Sequence, residues 1–291
     1  MNTSKKGETG NKKGMFGFSQ KGSLKYLDSG AFLDMDFIVH AFCTRWGGVS
    51  RGAYENLNFS FREGDPTDRV DKNWEILATA FQVPRRQFFV VNQVHEDRIL
   101  LIDHEHPKPS ENQLLQYDAI LTDRPGLAIG IKTADCVPIL MVDPIRRVIG
   151  AVHAGWKGTS LGIAAKAVEA LASRYLSKPS DLIVAVGPAI GPCCYQVDEV
   201  VFESVGDPSG RDSLFRPCRE KGKWMLDLPL ANRLQMERKG IPSRNIITSG
   251  FCTACRGDLF FSHRREKGKT GRHLNFIMIR GAAEASRLKR A

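Results

Sequence analysis

Leu127-Ala128-Ile129-Gly130-Ile131-Lys132-Thr133-Ala134-Asp135-Cys136-Val137-Pro138-Ile139-Leu140-Met141-Val142 is the stretch that decides how this chain is read. Two apolar runs, residues 127–131 and 137–142, flank a polar centre that ends at a cysteine; a third run, residues 148–152, follows Asp143-Pro144 and ends at His153. Short runs rich in Ile, Val and Leu, bounded by turn residues, read as buried strands, and their brief connections make all three neighbours. Next comes His153-Ala154-Gly155-Trp156-Lys157-Gly158, and Gly158-Thr159-Ser160 opens a helix expected to run to about Tyr175. A strand, a glycine and a helix start in that order leave backbone donors pointing at whatever His153 touches.

Working towards the N-terminus, residues 117–121 and 98–102 read as further strands, with a Pro-containing loop over 104–116 between them. Residues 88–91 form a strand that delivers Asn92-Gln93-Val94-His95 to its end. Val70, Trp74, Leu77 and Phe81 recur at helical spacing, with Thr67 or Asp68 as the N-cap and Pro84 as the stop. Residues 38–42 are a short strand, followed by Thr44-Arg45-Trp46-Gly47-Gly48-Val49-Ser50-Arg51-Gly52, whose paired glycines offer backbone donors to an anion. Towards the C-terminus, residues 182–186 form a buried strand and 206–224 a polar surface excursion. Residues 228–239 form a helix capped by Asp227, and 244–248 and 274–279 are the closing strands. The mixed order gives an α/β class, one domain over 23–285 with mixed β-sheets and flanking helices.

The 291 residues, 42% hydrophobic, suffice for a large core. No apolar run approaches the roughly 18–20 residues of a membrane span, and the first 25 residues lack a signal-peptide pattern, so a cytoplasmic protein is expected. The net charge of +10 sits at the ends: residues 1–25 hold six Lys and one Glu, and residues 256–291 hold ten Lys or Arg and three acids. The body is near neutral, which argues against nucleic acid as a partner; residues 1–22 read as a disordered basic tail and 286–291 as a basic C-terminal tail. Seven cysteines without a secretory context read as reduced thiols.

His95, Cys136 and His153 each end a strand-like run. Two imidazoles and a thiolate make a zinc set with an open fourth position; the same trio also suits a cysteine nucleophile with a histidine base. Spacing alone leaves both readings open. Cys252-x-x-Cys255 is half of a zinc motif without a second Cys-x-x-Cys, so a structural role is expected, and the vicinal Cys193-Cys194 reads as packed in a turn.

Asn92-Gln93-Val94-His95, Lys132-Thr133-Ala134-Asp135-Cys136-Val137-Pro138, His153-Ala154-Gly155-Trp156-Lys157-Gly158, Gly187-Pro188-Ala189-Ile190-Gly191-Pro192-Cys193-Cys194-Tyr195 and Phe260-Phe261-Ser262-His263-Arg264-Arg265, with Thr270-Gly271-Arg272, resemble the laccase-domain family. That family is also called the multicopper polyphenol oxidase or peptidoglycan editing factor family. The resemblance spans about residues 38–280. It implies a fold similar to the catalytic domain of the cytotoxic necrotizing factor toxins, and zinc bound by residues matching His95, Cys136 and His153. It also implies phosphorolysis of adenosine, inosine and 5′-methylthioadenosine, with adenosine deamination alongside. A cysteine-type amidase editing peptidoglycan precursors and a copper-dependent polyphenol oxidase are the alternatives. Glu96 stands where the family usually has a small residue and is expected to narrow the pocket mouth; Lys157 stands where Arg is common.

Multicopper chemistry needs several histidine-rich copper sites, whereas the chain has seven histidines and one His-x-His, so copper is expected only as a single alternative ion at the trio. Phosphorolysis needs a phosphate pocket, and guanidinium groups bind phosphate bidentately. Arg45, Arg264, Arg265 and Arg272 are the candidates, with Arg45, Asn92 and Arg265 as the expected substrate-binding set. Asp135 is a weaker candidate for proton transfer, since adjacent strand residues face opposite ways.

Overall fold

The computed structural model describes residues 15–105, 115–206 and 211–281. Its strands in chain order are β1 (Phe16–Lys21), β2 (Leu24–Ser29), β3 (Ile38–Cys43), β4 (Phe88–Val90), β5 (Ile99–Ile102), β6 (Ala119–Thr122), β7 (Ala128–Thr133) and β8 (Val137–Asp143). There follow β9 (Val148–Ala154), β10 (Ile183–Val186), β11 (Gln196–Val197), β12 (Phe215–Pro217), β13 (Trp224–Leu226), β14 (Ile246–Thr248) and β15 (His273–Ile279). The first sheet has the order β1-β2-β3-β15-β7-β4, the second β14-β10-β8-β9-β6-β5, and a small third β11-β13-β12. The pairs β4 with β7, β5 with β6 and β10 with β14 are parallel and the others antiparallel, so the class is α/β with mixed sheets.

The two large sheets pack face to face and each is covered again on its outer side. Phe42, Ile129, Ile131 and Ile277 of the first sheet share one core with Leu140, Val142, Ile149 and Ala151 of the second. Outside the first sheet, Val39, Ala41, Phe276 and Met278 meet Val70, Trp74, Leu77 and Phe81 of the helix Thr67–Phe81. Outside the second, Val137, Ile139, Val152 and Ala154 meet the helices Ile163–Tyr175 and Leu228–Arg238. Alternate residues of each strand therefore enter different cores, which explains why β8 and β9 are buried without interruption. Each fully buried large side chain contributes about 1.5–3 kcal/mol before entropy is counted.

Four expectations change. The three central runs are not all neighbours: β8 pairs with β9, but β7 pairs with β15 and β4 in the opposite sheet. The chain therefore crosses from one sheet to the other between Thr133 and Val137, and a run buried on both faces carries no mark of which sheet it joins. The tail expected to be disordered over 1–22 is a strand over its last part, because β1 pairs with β2 from Phe16↔Ser29 to Lys21↔Leu24. Phe16 and Phe18 anchor this edge strand on Phe42 and Phe251, at ring separations of 5.3 and 5.5 Å, while the polar residues between them hid it in composition. The helix expected over 158–175 is two helices, Trp156–Ser160 and Ile163–Tyr175, parted at Gly162 with φ +78°. The excursion at 206–224 holds the helix Arg211–Leu214 and β12. The remainder of the basic tail (1–14), the middle of the 104–116 loop and the C-terminal tail 286–291 lie outside the described residues.

Candidate metal centre

The crossover between the sheets builds the site. Asp135, just before Cys136, takes a left-handed backbone conformation, φ +94°, that reverses the chain out of β7. Its carboxylate accepts from Thr253 Oγ1 at 2.6 Å and from the Arg264 N–H at 2.7 Å, and its carbonyl accepts from the Ile190 N–H at 2.8 Å. Cys136 is thereby placed at the mouth of β8, opposite the end of β9, where His153 pairs with Pro138. His95 does not end a strand; it lies in the loop after β4, again with positive φ, +63°.

Asp118 holds that loop. Its carboxylate accepts the backbone N–H groups of Val94 (3.2 Å), His95 (3.0 Å) and Glu96 (2.8 Å) and sits 2.7 Å from His153 Nδ1. One fully buried side chain thus fixes both histidines, and with His153 Nδ1–H donating to it, Nε2 is left to face the thiol. Burial alone would raise the Asp118 pKa, but His153 and the N–H groups of Glu96 and His95 outweigh it and hold the carboxyl below its ordinary value. Burial likewise pushes the Cys136 thiol up, yet the two imidazoles overcome this and bring it down to about 6. His153, despite burial, is raised to about 9 by Cys136 and Asp118.

The donor atoms of His95, Cys136 and His153 all lie within 4.8 Å of one another. Gly155 leaves room among them, since a Cβ there would stand 3.1 Å from Cys136 Sγ and 3.2 Å from His95 Cδ2. Two nitrogens and a sulfur converging on an open space, with a carboxylate behind one imidazole, fit zinc or a single copper. Gly155→Ala is expected to fill this space and weaken metal binding by about 10–100-fold, the range for a disturbed ligand shell, with the fold intact; equilibrium dialysis against zinc and a thermal melt measure the two effects.

The triangle opens into a cavity of about 1330 Å³ lined also by Arg62, Asn92, Lys132, Trp156, Tyr195, Arg264 and Arg272. Asn92 accepts a hydrogen bond from Arg62. His263 is also on the wall. Arg45 and Arg265 are placed outside the lining. Arg45 donates to Gly257 O at 3.1 Å and lies over Phe261, and Arg265 donates to Thr253 O, Ala254 O and Phe260 O. The glycine loop is filled by the protein itself: a Cβ at Gly47 would meet Ser23 O at 2.4 Å, and the Val49 N–H is taken by Asn73 Oδ1 at 2.8 Å. Glu96 does not narrow the mouth; its carboxylate pairs with Arg98 at 3.3 Å, and both side chains are about half exposed. Both carboxylate oxygens of Asp135 are engaged in holding the crossover.

Sequence reasoning missed Asp118, Arg62 and Lys132. Asp118 carried one faint signal, an acidic residue directly before an apolar run, and Lys132 another, a cation directly after one.

A family model described as multi-copper polyphenol oxidoreductase laccase matches residues 39–280. The chain belongs to this family. The purine nucleoside phosphorylase YlmD of Geobacillus stearothermophilus is 39% identical over 245 residues, covering 82% of this chain and 89% of that protein. The purine nucleoside phosphorylase of Deinococcus radiodurans is 39% identical over 238 residues, covering 81% and 87%. Among solved structures, the Bacillus licheniformis hypothetical protein YfiH matches with a TM-score of 0.83 at 34% identity over 90% of this chain and 99% of that one. The Geobacillus stearothermophilus YlmD structure matches with a TM-score of 0.81 at 36% identity, over 91% and 99%. The family's oxidase name does not carry over to the ligand set. His40 and His273 each accept a backbone N–H, from Ser29 and Phe261, and burial lowers them to about 4 and about 3, so they serve as neutral structural groups. Among the described residues only His95 and His153 share a donor cluster.

Proposed function

We propose that this member of the laccase-domain family is a zinc-dependent purine nucleoside phosphorylase acting on adenosine, inosine and 5′-methylthioadenosine. One observation carries the reading: the cavity that holds the donor triangle also holds Arg62, Lys132 and Arg272, so a metal and an anion have places in one pocket. The names of the YlmD relatives support it.

In the reaction a phosphate oxygen bonds to C1′ of the ribose as the bond from C1′ to the purine nitrogen breaks. The electron pair leaves with the purine, which takes up a proton. Zinc, when bound by His95, Cys136 and His153, supplies a Lewis acid with one open position. Lys132 and the guanidinium groups of Arg62 and Arg272 hold the phosphate and offset its charge. Asn92, held by Arg62, faces the ribose, and Trp156 and Tyr195 give the purine flat walls. Arg264 stacks over Tyr195 at 5.1 Å, fixing that wall. Adenosine deamination is proposed at the same site, water replacing the 6-amino group and ammonia leaving. The depressed Cys136 thiol beside the raised His153 favours a second reading, a cysteine amidase, whose turnover would survive a chelator.

Zinc-loaded protein incubated with adenosine and phosphate should yield adenine and ribose-1-phosphate, with inosine as a by-product. Absence of turnover with either zinc or copper loaded would overturn the reading. The pH profile gives a separate check. Burial, together with Arg62, lowers Lys132 to about 8, and no side-chain partner holds its ammonium among the described residues. The charged form exists below that value and is lost above it, so kcat/KM for phosphate is expected to fall as pH rises through about 8. Lys132→Arg, which does not titrate there, should remove that descending limb.

A further inference from the structure

Cys193, Cys194, Cys252 and Cys255 come from two loops some sixty residues apart in the chain, and their four sulfurs lie within 4.8 Å of one another. Cys255 Sγ is 3.4 Å from both Cys193 Sγ and Cys194 Sγ. A tetrahedral zinc with sulfur at about 2.3 Å sets sulfur–sulfur separations near 3.8 Å, and the observed distances bracket that figure. Two disulfides would need only two close pairs; here all four sulfurs converge.

The backbone prepares this convergence. Ala189 and Cys252 form a parallel bridge, the Thr253 N–H donates to Ala189 O at 3.0 Å, and the Gly191 N–H donates to Cys252 Sγ at 3.2 Å. A Cβ on Gly191 would stand 3.3 Å from Cys252 Cβ and 3.5 Å from Cys193 Sγ, so glycine there lets the loops close. Arg265, whose guanidinium donates to the carbonyls of Thr253 and Ala254 inside the Cys-x-x-Cys turn, supplies positive charge beside a set of thiolates. N–H donors to sulfur and a nearby cation are what a negatively charged tetrathiolate site requires.

We propose that these four cysteines form a second, structural zinc site that ties the loop 187–195 to the segment 249–265. It is a closed site, with no position left for substrate. Its place couples it to the donor triangle, because Thr253, between Cys252 and Cys255, and Ile190, on the facing loop, both hold Asp135 at the crossover that presents Cys136.

The test counts zinc by mass spectrometry in full-length protein carrying Cys136→Ala, which removes the other candidate centre from the count. One equivalent per chain is expected, and none after Cys252→Ser with Cys255→Ser. A count of zero in Cys136→Ala, or an unchanged count in the triple variant, would overturn the proposal. Should the triple variant fail to fold, alkylation of the zinc-loaded Cys136→Ala protein decides. Cys193 and Cys255, although exposed, should resist iodoacetamide until a strong chelator is added and react quickly afterwards. Immediate reaction, or a disulfide within the set in protein purified under reducing conditions, would overturn it.

Discussion

Replacing Cys136 with alanine is expected to lower kcat/KM for adenosine phosphorolysis by roughly 10²–10⁴-fold and to strip the metal from the donor triangle. The range follows from several kcal/mol of Lewis-acid stabilisation at about 1.36 kcal/mol per decade. The thiol is the one donor that supplies negative charge at neutral pH, because the imidazoles hold it down to about 6. Without it only two imidazole nitrogens remain, a weak zinc site. Cys136 is only partly buried and anchors no core cluster, so the melting temperature should hardly move and the loss can be assigned to chemistry. Full activity and full zinc at the triangle in this variant would overturn both the ligand assignment and the mechanism.

Replacing Asp118 with alanine should instead harm fold and site together. It would orphan three partly buried backbone N–H groups and the buried His153 Nδ1–H. At about 1–3 kcal/mol for each unsatisfied buried group, with solvent reaching some of them, a loss of about 3–6 kcal/mol is expected in a urea titration. Metal affinity should fall at least 10–100-fold, as when the partner of a ligating histidine is removed. Asp118→Asn separates the two effects. Its amide oxygen can still accept backbone N–H groups, but an NH₂ facing His153 Nδ1 moves the ring proton to Nε2 and blocks the ligand atom. Near-normal stability with lost metal binding is the expected outcome for that variant; unchanged affinity would show that Asp118 acts on the loop alone. The acid limb follows from the same group. Asp118 titrates below its ordinary value of 3.8 in the folded chain, so its stabilisation is complete above that pH and is lost as pH falls through the lower folded value.

Much of the fold was legible because it is locally encoded. The spacing of Val70, Trp74, Leu77 and Phe81 specifies the helix Thr67–Phe81, and Asp227 caps the helix Leu228–Arg238 by accepting from the Leu230 N–H at 3.0 Å. The unbroken runs at β8 and β9 mark strands covered on both faces. The site was legible in part: His95, Cys136 and His153 were singled out as residue types at the ends of runs, and the structure brings their donor atoms together. The arginines were another matter. Arg45 and Arg265 look the same in sequence as Arg62 and Arg272, yet the first two lie outside the cavity lining while the others reach it, Arg272 while also donating to Thr270 O and Gly271 O and pairing with Glu63.

By itself, then, the sequence determined most of the segments that are strand or helix, which residues could bind a metal, and which family the motifs belong to, since each of these depends on spacing along the chain. Only the tertiary structure decided that β7 and β8 part company at Asp135, that one carboxylate, Asp118, fixes both histidines, and that Cys193 and Cys194 meet Cys252 and Cys255. The physical reason is common to all three. They depend on contacts between segments distant in sequence, which form when apolar faces select their partners, and a pattern of buried residues states that a face will be covered without stating by what.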